Sequence, residues 1–294
     1  MPQTIAPSLS DPPWAAAPGF GIGLRRIAPG DWLEGGEARP WARKDRLFRS
    51  VPEKVWGETD GSRPGQAEVA GLVGQALGLR PGRPGRPPLL DAARRVPDDL
   101  VLMERRDDDW TVSALSLSSG SFFTADEALG RSLEALHQPV PGFADRFLVR
   151  VRRIFDNLPE DQILERRNWS VTAWRGLYAP DAAAARRRAR AQRPRRPGSG
   201  LYLRCERQTL RRLPLTGGIL FTIRIHLTPL RALAGDPAAV AVLARAWTSA
   251  PEDFRRYKGL DAVTPGVEAF LAAMGAGRPE TVTDLSEKTP HDPG

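Results

Sequence analysis

Cysteine is nearly absent. Cys205 is the one thiol in the chain, which excludes an internal disulfide and any four-cysteine zinc or iron–sulfur site. Iron–sulfur chemistry, if this protein depends on it, has to come from a partner. Long apolar runs are missing too: none approaches the length that crosses a bilayer, and the opening MPQTIAPSLSDPPW lacks the basic and apolar regions of a secretory signal. The expected setting is the cytoplasm, without a membrane partner. A dinucleotide fingerprint is also lacking. The cluster GFGIG has the spacing G-x-G-x-G, and arginines and Pro29 follow where a helix should begin, so it reads as a turn. No internal repeat is present.

What is there is a chain of 294 residues, 41% of them hydrophobic, enough for one large or two small domains with a real core. The formal charge of +8 is concentrated. Arg186, Arg187, Arg188, Arg190, Arg193, Arg195 and Arg196 lie between Asp181 and Gly200, and without those seven the charge falls to +1. Because the segment ends in RPRRPGSG, which cannot continue a helix, a solvated arginine-rich loop is expected over 181–200. Contact with nucleic acid or an anionic surface is the rival reading, but no aromatic residue interleaves to stack on bases.

The stretch TADEALGRSLEALHQPVPG, Thr124 to Gly142, organises the rest. Thr124 and Glu127 have the spacing of a capping box, so a helix should open there. Leu129, Leu133 and His137 recur every four residues, which puts the imidazole on a leucine face. Pro139 and Pro141 forbid continuation and leave His137 in the last turn. Two readings stay open on this pattern: a ring that packs and hydrogen-bonds a free carbonyl, or an axial ligand to a haem or other metal, since a buried porphyrin needs apolar walls and one nitrogen donor.

Residues 1–20, rich in Pro, Ala and Ser, are expected to be disordered, as is a polar tail over 275–294 that carries His291. Between them, 21–274 is read as one domain. Ile22, Leu24, Ile27, Trp32 and Leu33 mark a lead-in segment that docks on a core. Helical patterns follow near Arg43–Trp56 and Ala67–Leu79, broken by RPGRPGRPP. Asp99–Glu104 and Trp110–Leu117 read as a hairpin across RRDDD, and Phe143 to Leu158 as an amphipathic helix with arginines outside. Asn168 and Trp169 begin an extended piece. In LYLRCERQTL, Leu201, Leu203 and Cys205 share one side while Tyr202, Arg204, Glu206 and Gln208 share the other. Ile219 to Leu227 pairs with it as a second hairpin, in which Thr222, Arg224 and His226 alternate with apolar residues. That polar face is either solvated or lines a site. Asp236 and Pro237 start another helix in the favoured cap positions, and a short helix from Pro265 to Met274 closes the fold.

The segments WLE, DLVLMERRDDDW, ALHQPVPGF, RRNWS, LYLRCERQTLRRLP, TGGILFTIRIHLTPL and FRRYKGL occur in an order that resembles the family of the haem-dependent oxidative N-demethylase α subunit, over roughly Gly21 to Met274. The resemblance implies an α+β fold: a PAS-like antiparallel sheet with flanking helices enclosing haem b, with helical extensions at both ends. It implies His137 as proximal iron ligand. Arg204, Glu206, Arg207 and Thr209 match one family stretch and Arg224 another. From these matches Glu206, Arg224 and Asn168 are expected to be catalytic, and His137, Arg204, Arg207, Trp169 and Thr209 to bind cofactor, with arginines on the propionates or polarising dioxygen. Where many relatives have Cys-x-Pro-Ser-x-Trp before the histidine helix, this chain has LSLSSGSFFTADEA, and the arginine-rich segment is an expansion.

The expected function is that of a monooxygenase-type oxidoreductase that demethylates a small methylated amine with dioxygen. Its electrons would come from a separate reductase carrying FMN and a [2Fe-2S] centre and drawing on NADPH. The alternative is a non-catalytic haem or gas sensor of PAS-like fold.

Overall fold

The strand periodicities assemble into one sheet. The computed structural model describes residues 12, 14, 20–34, 40–79, 82 and 85–276. Its strands are β1 (Arg25–Ile27), β2 (Trp56–Glu58), β3 (Asp99–Arg106), β4 (Asp109–Ser116), β5 (Ile163–Thr172), β6 (Tyr202–Arg212) and β7 (Ile219–Pro229). They form a seven-stranded sheet in the order β1-β5-β6-β7-β3-β4-β2, with every pairing antiparallel. The class is therefore α+β. The β3–β4 hairpin opens the sheet, and β5, β6 and β7 return as a meander that closes on β3.

Helices fill the intervals: α1 (Pro40–Ser50), α2 (Pro52–Val55), α3 (Arg63–Leu77), α4 (Pro88–Ala93), α5 (Ala125–Ala128), α6 (Leu133–His137), α7 (Val149–Asn157), α8 (Ala182–Ala191), α9 (Pro237–Ser249), α10 (Glu252–Lys258) and α11 (Thr264–Ala273). Asp236 caps α9 by accepting from the Ala239 amide at 2.9 Å, with Pro237 at the first helical position.

The two sheet faces carry different loads. On one, Trp169, Leu203 and Cys205 pack with α9 and α11, while Leu100, Leu102, Leu213 and Leu220 pack with α3 and α4. Between these apolar ends runs a charged layer in register: Arg207 opposite Arg167 and Arg224, then Thr209 opposite Glu165 and Thr222. On the other face Val101, Val112, Leu210, Phe221 and Ile223 meet residues of α6 and α7.

Four expectations are corrected. The helix from Thr124 is two short helices: the capping box forms, with the Thr124 amide donating to Glu127 at 2.9 Å, but Gly130 at φ 73° breaks the run and Ser132 caps α6 anew. The loop over 181–200 begins as α8. Asp181 accepts from the Ala184 amide at 2.9 Å, and alanine and arginine, both strong helix formers, hold helix until Gln192, two residues before Pro194. Asn168 lies inside β5, which starts at Ile163. Trp14, within the segment expected to be loose, is 1% exposed and belongs to the core around Trp169. The tail expected over 275–294 lies, beyond residue 276, outside the described residues.

Candidate functional site

A cavity of about 800 Å³ lies between the second sheet face and the helices that follow β4, within the range of about 300–1,000 Å³ usual for cofactor and ligand sites. Alternation along the strands decides which side chains reach it. From β5 come Arg166, Asn168 and Ser170; from β6, Arg204, Glu206, Gln208 and Leu210; from β7, Phe221, Ile223 and Ile225.

His137 lines the opposite wall with Leu136, Val140 and Phe143. Its ring stacks on Phe143 with centroids 4.1 Å apart and planes 9° apart, and its Nδ1 lies 2.8 Å from the Leu133 carbonyl oxygen. A carbonyl can only accept, so Nδ1 carries the proton and Nε2 keeps its lone pair. Burial lowers the imidazole pKa from its usual 6.5, the Leu133 bond partly opposes this, and the charge of Arg166 lowers it further. The ring is thus held neutral, in one tautomer and in one plane. A backbone carbonyl on the far nitrogen is the arrangement that orients histidine ligands to metals.

Cys205 offers no competing donor. It lies on the other sheet face, and burial, with the Glu206 charge adding, pushes its thiol up to about 12. Among the described residues no group of three or more His, Cys, Asp or Glu is arranged to hold a metal ion. A haem asks less of the protein, a single nitrogen donor and apolar walls, and His137 among Leu133, Val140, Phe143 and Phe221 fits that requirement.

At the sheet the cavity is polar. Asp99 accepts from the Ser118 amide at 2.7 Å and the Ser119 amide at 2.8 Å, which pins the turn after β4. That turn presents the Ser119 carbonyl to Arg204 Nη2 at 2.6 Å and the Ser121 hydroxyl to Arg204 Nε at 2.7 Å. Ser121 in turn donates to Glu206 at 2.9 Å, and Gln208 and Asn168 approach the other carboxylate oxygen at 3.3 and 3.5 Å. Arg204 Nη1 is buried with no hydrogen-bond partner among the described residues. Burial by itself would raise the Glu206 pKa. The charges of Lys258 and Arg204, the Ser121 bond and the charge of Arg166 outweigh it and hold the carboxyl below its usual 4.5. Glu206 is an anion at neutral pH, set among cations.

His137, Asn168, Arg204 and Glu206 are therefore brought together, and the other four expected site residues are not. Arg207, Thr209, Arg224 and Trp169 sit at odd steps from Arg204, Ile223 and Asn168, so the period-two pleat turns them to the far face. There Arg207 Nε donates to Glu165 at 2.5 Å and Nη1 to the Trp32 carbonyl at 2.7 Å, and Nη2 bonds the Asp31 carbonyl. Thr209 bridges Trp32 Nε1 at 3.1 Å and Thr222 at 2.6 Å. Trp169 is core, and Arg224 is buried in the charged layer. Residue-by-residue reading of the motif missed Arg166, Ser121, Tyr257 and Lys258, all on the cavity wall. Three of them carried a signal. Stepping back two from Asn168 gives Arg166, and Tyr257-Lys258 lies in the FRRYKGL segment.

Fold and site together define an α+β protein in which one neutral histidine faces a carboxylate-bearing sheet across a largely apolar cavity. Residues 42–267 match the family model of the haem-dependent oxidative N-demethylase, alpha subunit-like proteins, and the chain belongs to that family. Among the described residues no helix is long and apolar enough to cross a membrane.

Proposed function

We propose that this protein is the haem-binding subunit of an oxidoreductase that demethylates a small methylated amine with dioxygen. The observation that carries the reading is the His137 ring, neutral and fixed by Leu133 and Phe143 on the wall of an apolar cavity. His137 would hold the iron of haem b through Nε2, and Arg204, with its unused Nη1, together with Arg166 and Lys258, would meet the propionates or the polar end of bound ligand. The antiparallel sheet with helices closing over one face supports a PAS-like description of the core. Haem, when bound, supplies the activation of dioxygen.

The chain's own residues do the rest. Glu206, ionised and steered by Ser121, is placed to receive a secondary or tertiary ammonium through a charge-assisted hydrogen bond, which fixes the N-methyl carbon relative to the far wall. Asn168 and Gln208 orient that carboxylate. Leu133, Phe143, Leu210 and Phe221 keep bulk water from the reacting carbon. The balance is one amine, one dioxygen, two electrons and two protons giving the demethylated amine, formaldehyde and one water. A chain with one buried thiol holds no iron–sulfur cluster to store those electrons. They come from a separate cytoplasmic reductase, in which FMN, a [2Fe-2S] centre and NADPH do the carrying.

One spectrum tests the reading. The purified chain with haemin should show a Soret band that His137→Ala loses and that a methylated amine perturbs only when Glu206 is intact. A protein that refuses haemin overturns it, and a haem that binds dioxygen without amine-dependent electron consumption points instead to sensing.

A further inference from the structure

We propose that α8 and the arginines following it form the docking face for an acidic electron-carrier protein, which hands over its electrons at the cavity wall. The inference rests on the oxidoreductase reading above and adds a place for the donor.

Charge is the first observation. Arg186, Arg187, Arg188, Arg190, Arg193, Arg195 and Arg196 are all exposed. Across 181–200 the one acidic residue is Asp181, which faces Arg187 at 3.7 Å. Arg188 and Arg193 spend donors on backbone carbonyls, but their charge is not neutralised. Such a field steers an acidic partner and weakens with salt.

Position is the second. Ala185 is buried, and Ala182, Ala185, Arg186 and Ala189 line the cavity, so the arginine-bearing surface is the outside of the cavity's own wall. Arg186 also lies against Gly259, 3.5 Å from where a Cβ would stand, which joins α8 to the Tyr257–Lys258 end of α10 at the same rim.

The third is the need. Each turnover takes two electrons that this chain holds no iron–sulfur cluster to store, since such a cluster takes at least two cysteine ligands and the chain has one thiol, which is buried. An acidic protein suits the surface better than nucleic acid does. No aromatic residue occurs in 181–200, and Arg186, Arg187 and Arg188, successive on a helix, are spread around its axis rather than ranked along one groove.

The test uses an acidic plant-type [2Fe-2S] ferredoxin as probe and the full chain, with and without haemin. Binding of the oxidised ferredoxin, read by calorimetry, should weaken about tenfold or more between about 50 and 200 mM salt and by a similar factor in a variant with Arg187, Arg190, Arg195 and Arg196 replaced by Gln. Replacement of the same four by Lys should retain it, which separates charge from folding. Reduced ferredoxin should reduce haem slowly in the Gln variant, while dithionite reduces both proteins alike. Absent or salt-insensitive binding, or equal binding by the Gln variant, overturns the proposal, as does tighter binding of duplex DNA lost in the same variant. A chain that binds ferredoxin as described but takes up no haemin leaves the docking face standing and removes the haem reading.

Discussion

Arg204 and Glu206, neighbours on one face of β6, share the hydroxyl of Ser121: it accepts from Arg204 Nε at 2.7 Å and donates to Glu206 at 2.9 Å. Their direct approach is longer, at 3.9 Å. The serine therefore relays between two charges that could otherwise collapse on each other, and it leaves carboxylate capacity for a ligand.

Ser121→Ala should loosen that relay. The Ser121 bond is one of the influences lowering the Glu206 pKa, so the variant's carboxyl moves up and the acidic limb of amine binding moves up with it. We expect amine affinity, measured as a Soret perturbation, to fall about tenfold, the scale of one hydrogen bond to a charged group. Unchanged affinity and pH profile would leave Ser121 without this role.

His137→Ala should lose haem while the fold persists, and added imidazole should restore the Soret band. The folded pKa of His137 lies below the usual 6.5, chiefly through burial. A base depressed on folding contributes stability above its unfolded pKa and loses it as pH falls below about 6.5. Haem retention followed by absorbance should accordingly hold near neutrality and fail on acidification, at a pH below the ordinary histidine value.

Glu165→Leu probes the far face. Glu165 is 1% exposed and serves Arg25, Arg167 and Arg207, so its removal takes the buried Arg207 guanidinium's shortest carboxylate contact and leaves it Glu34, at 3.2 Å, at a cost of about 2 kcal/mol. Urea unfolding should show this loss with the haem spectrum intact, because the cluster does not reach the cavity. Burial opposes the ionised form of Glu165, but Arg25, Arg207 and Arg167 prevail and lower its pKa. Its contribution is thus present above 4.5 and disappears as pH falls through the folded value.

Asp98 acts with the opposite sign. Burial, only partly offset by Arg224 and Lys44, raises its pKa from 3.8 to about 6. Folding then favours the protonated acid, so its contribution is greatest at low pH and is lost as pH rises through about 6. Asp98→Asn should flatten the fall in unfolding midpoint between about pH 4 and 6. An unchanged slope would show that Asp98 is not its source.

Much of this was legible in the chain itself. Alternation in LYLRCERQTL separates Leu203 and Cys205 from Arg204 and Glu206 because a strand has a period of two whatever it packs against. The cap at Asp236, the stop at Pro139 and the exclusion of an internal iron–sulfur cluster by one cysteine are likewise local or numerical. What the chain could not disclose is which side of a motif meets the cavity. Arg207 and Thr209 stand beside Glu206 in sequence, yet Glu165 and Trp32, distant along the chain, claim them on the other face. Ser121 acquires its place only when Asp99 pins the turn after β4. The α8 helix shows the same limit: its alanines and arginines favour helix by themselves, but only packing against the cavity selects that state over a solvated loop. Periodicity is a property of neighbours in sequence, whereas burial is decided by neighbours in space.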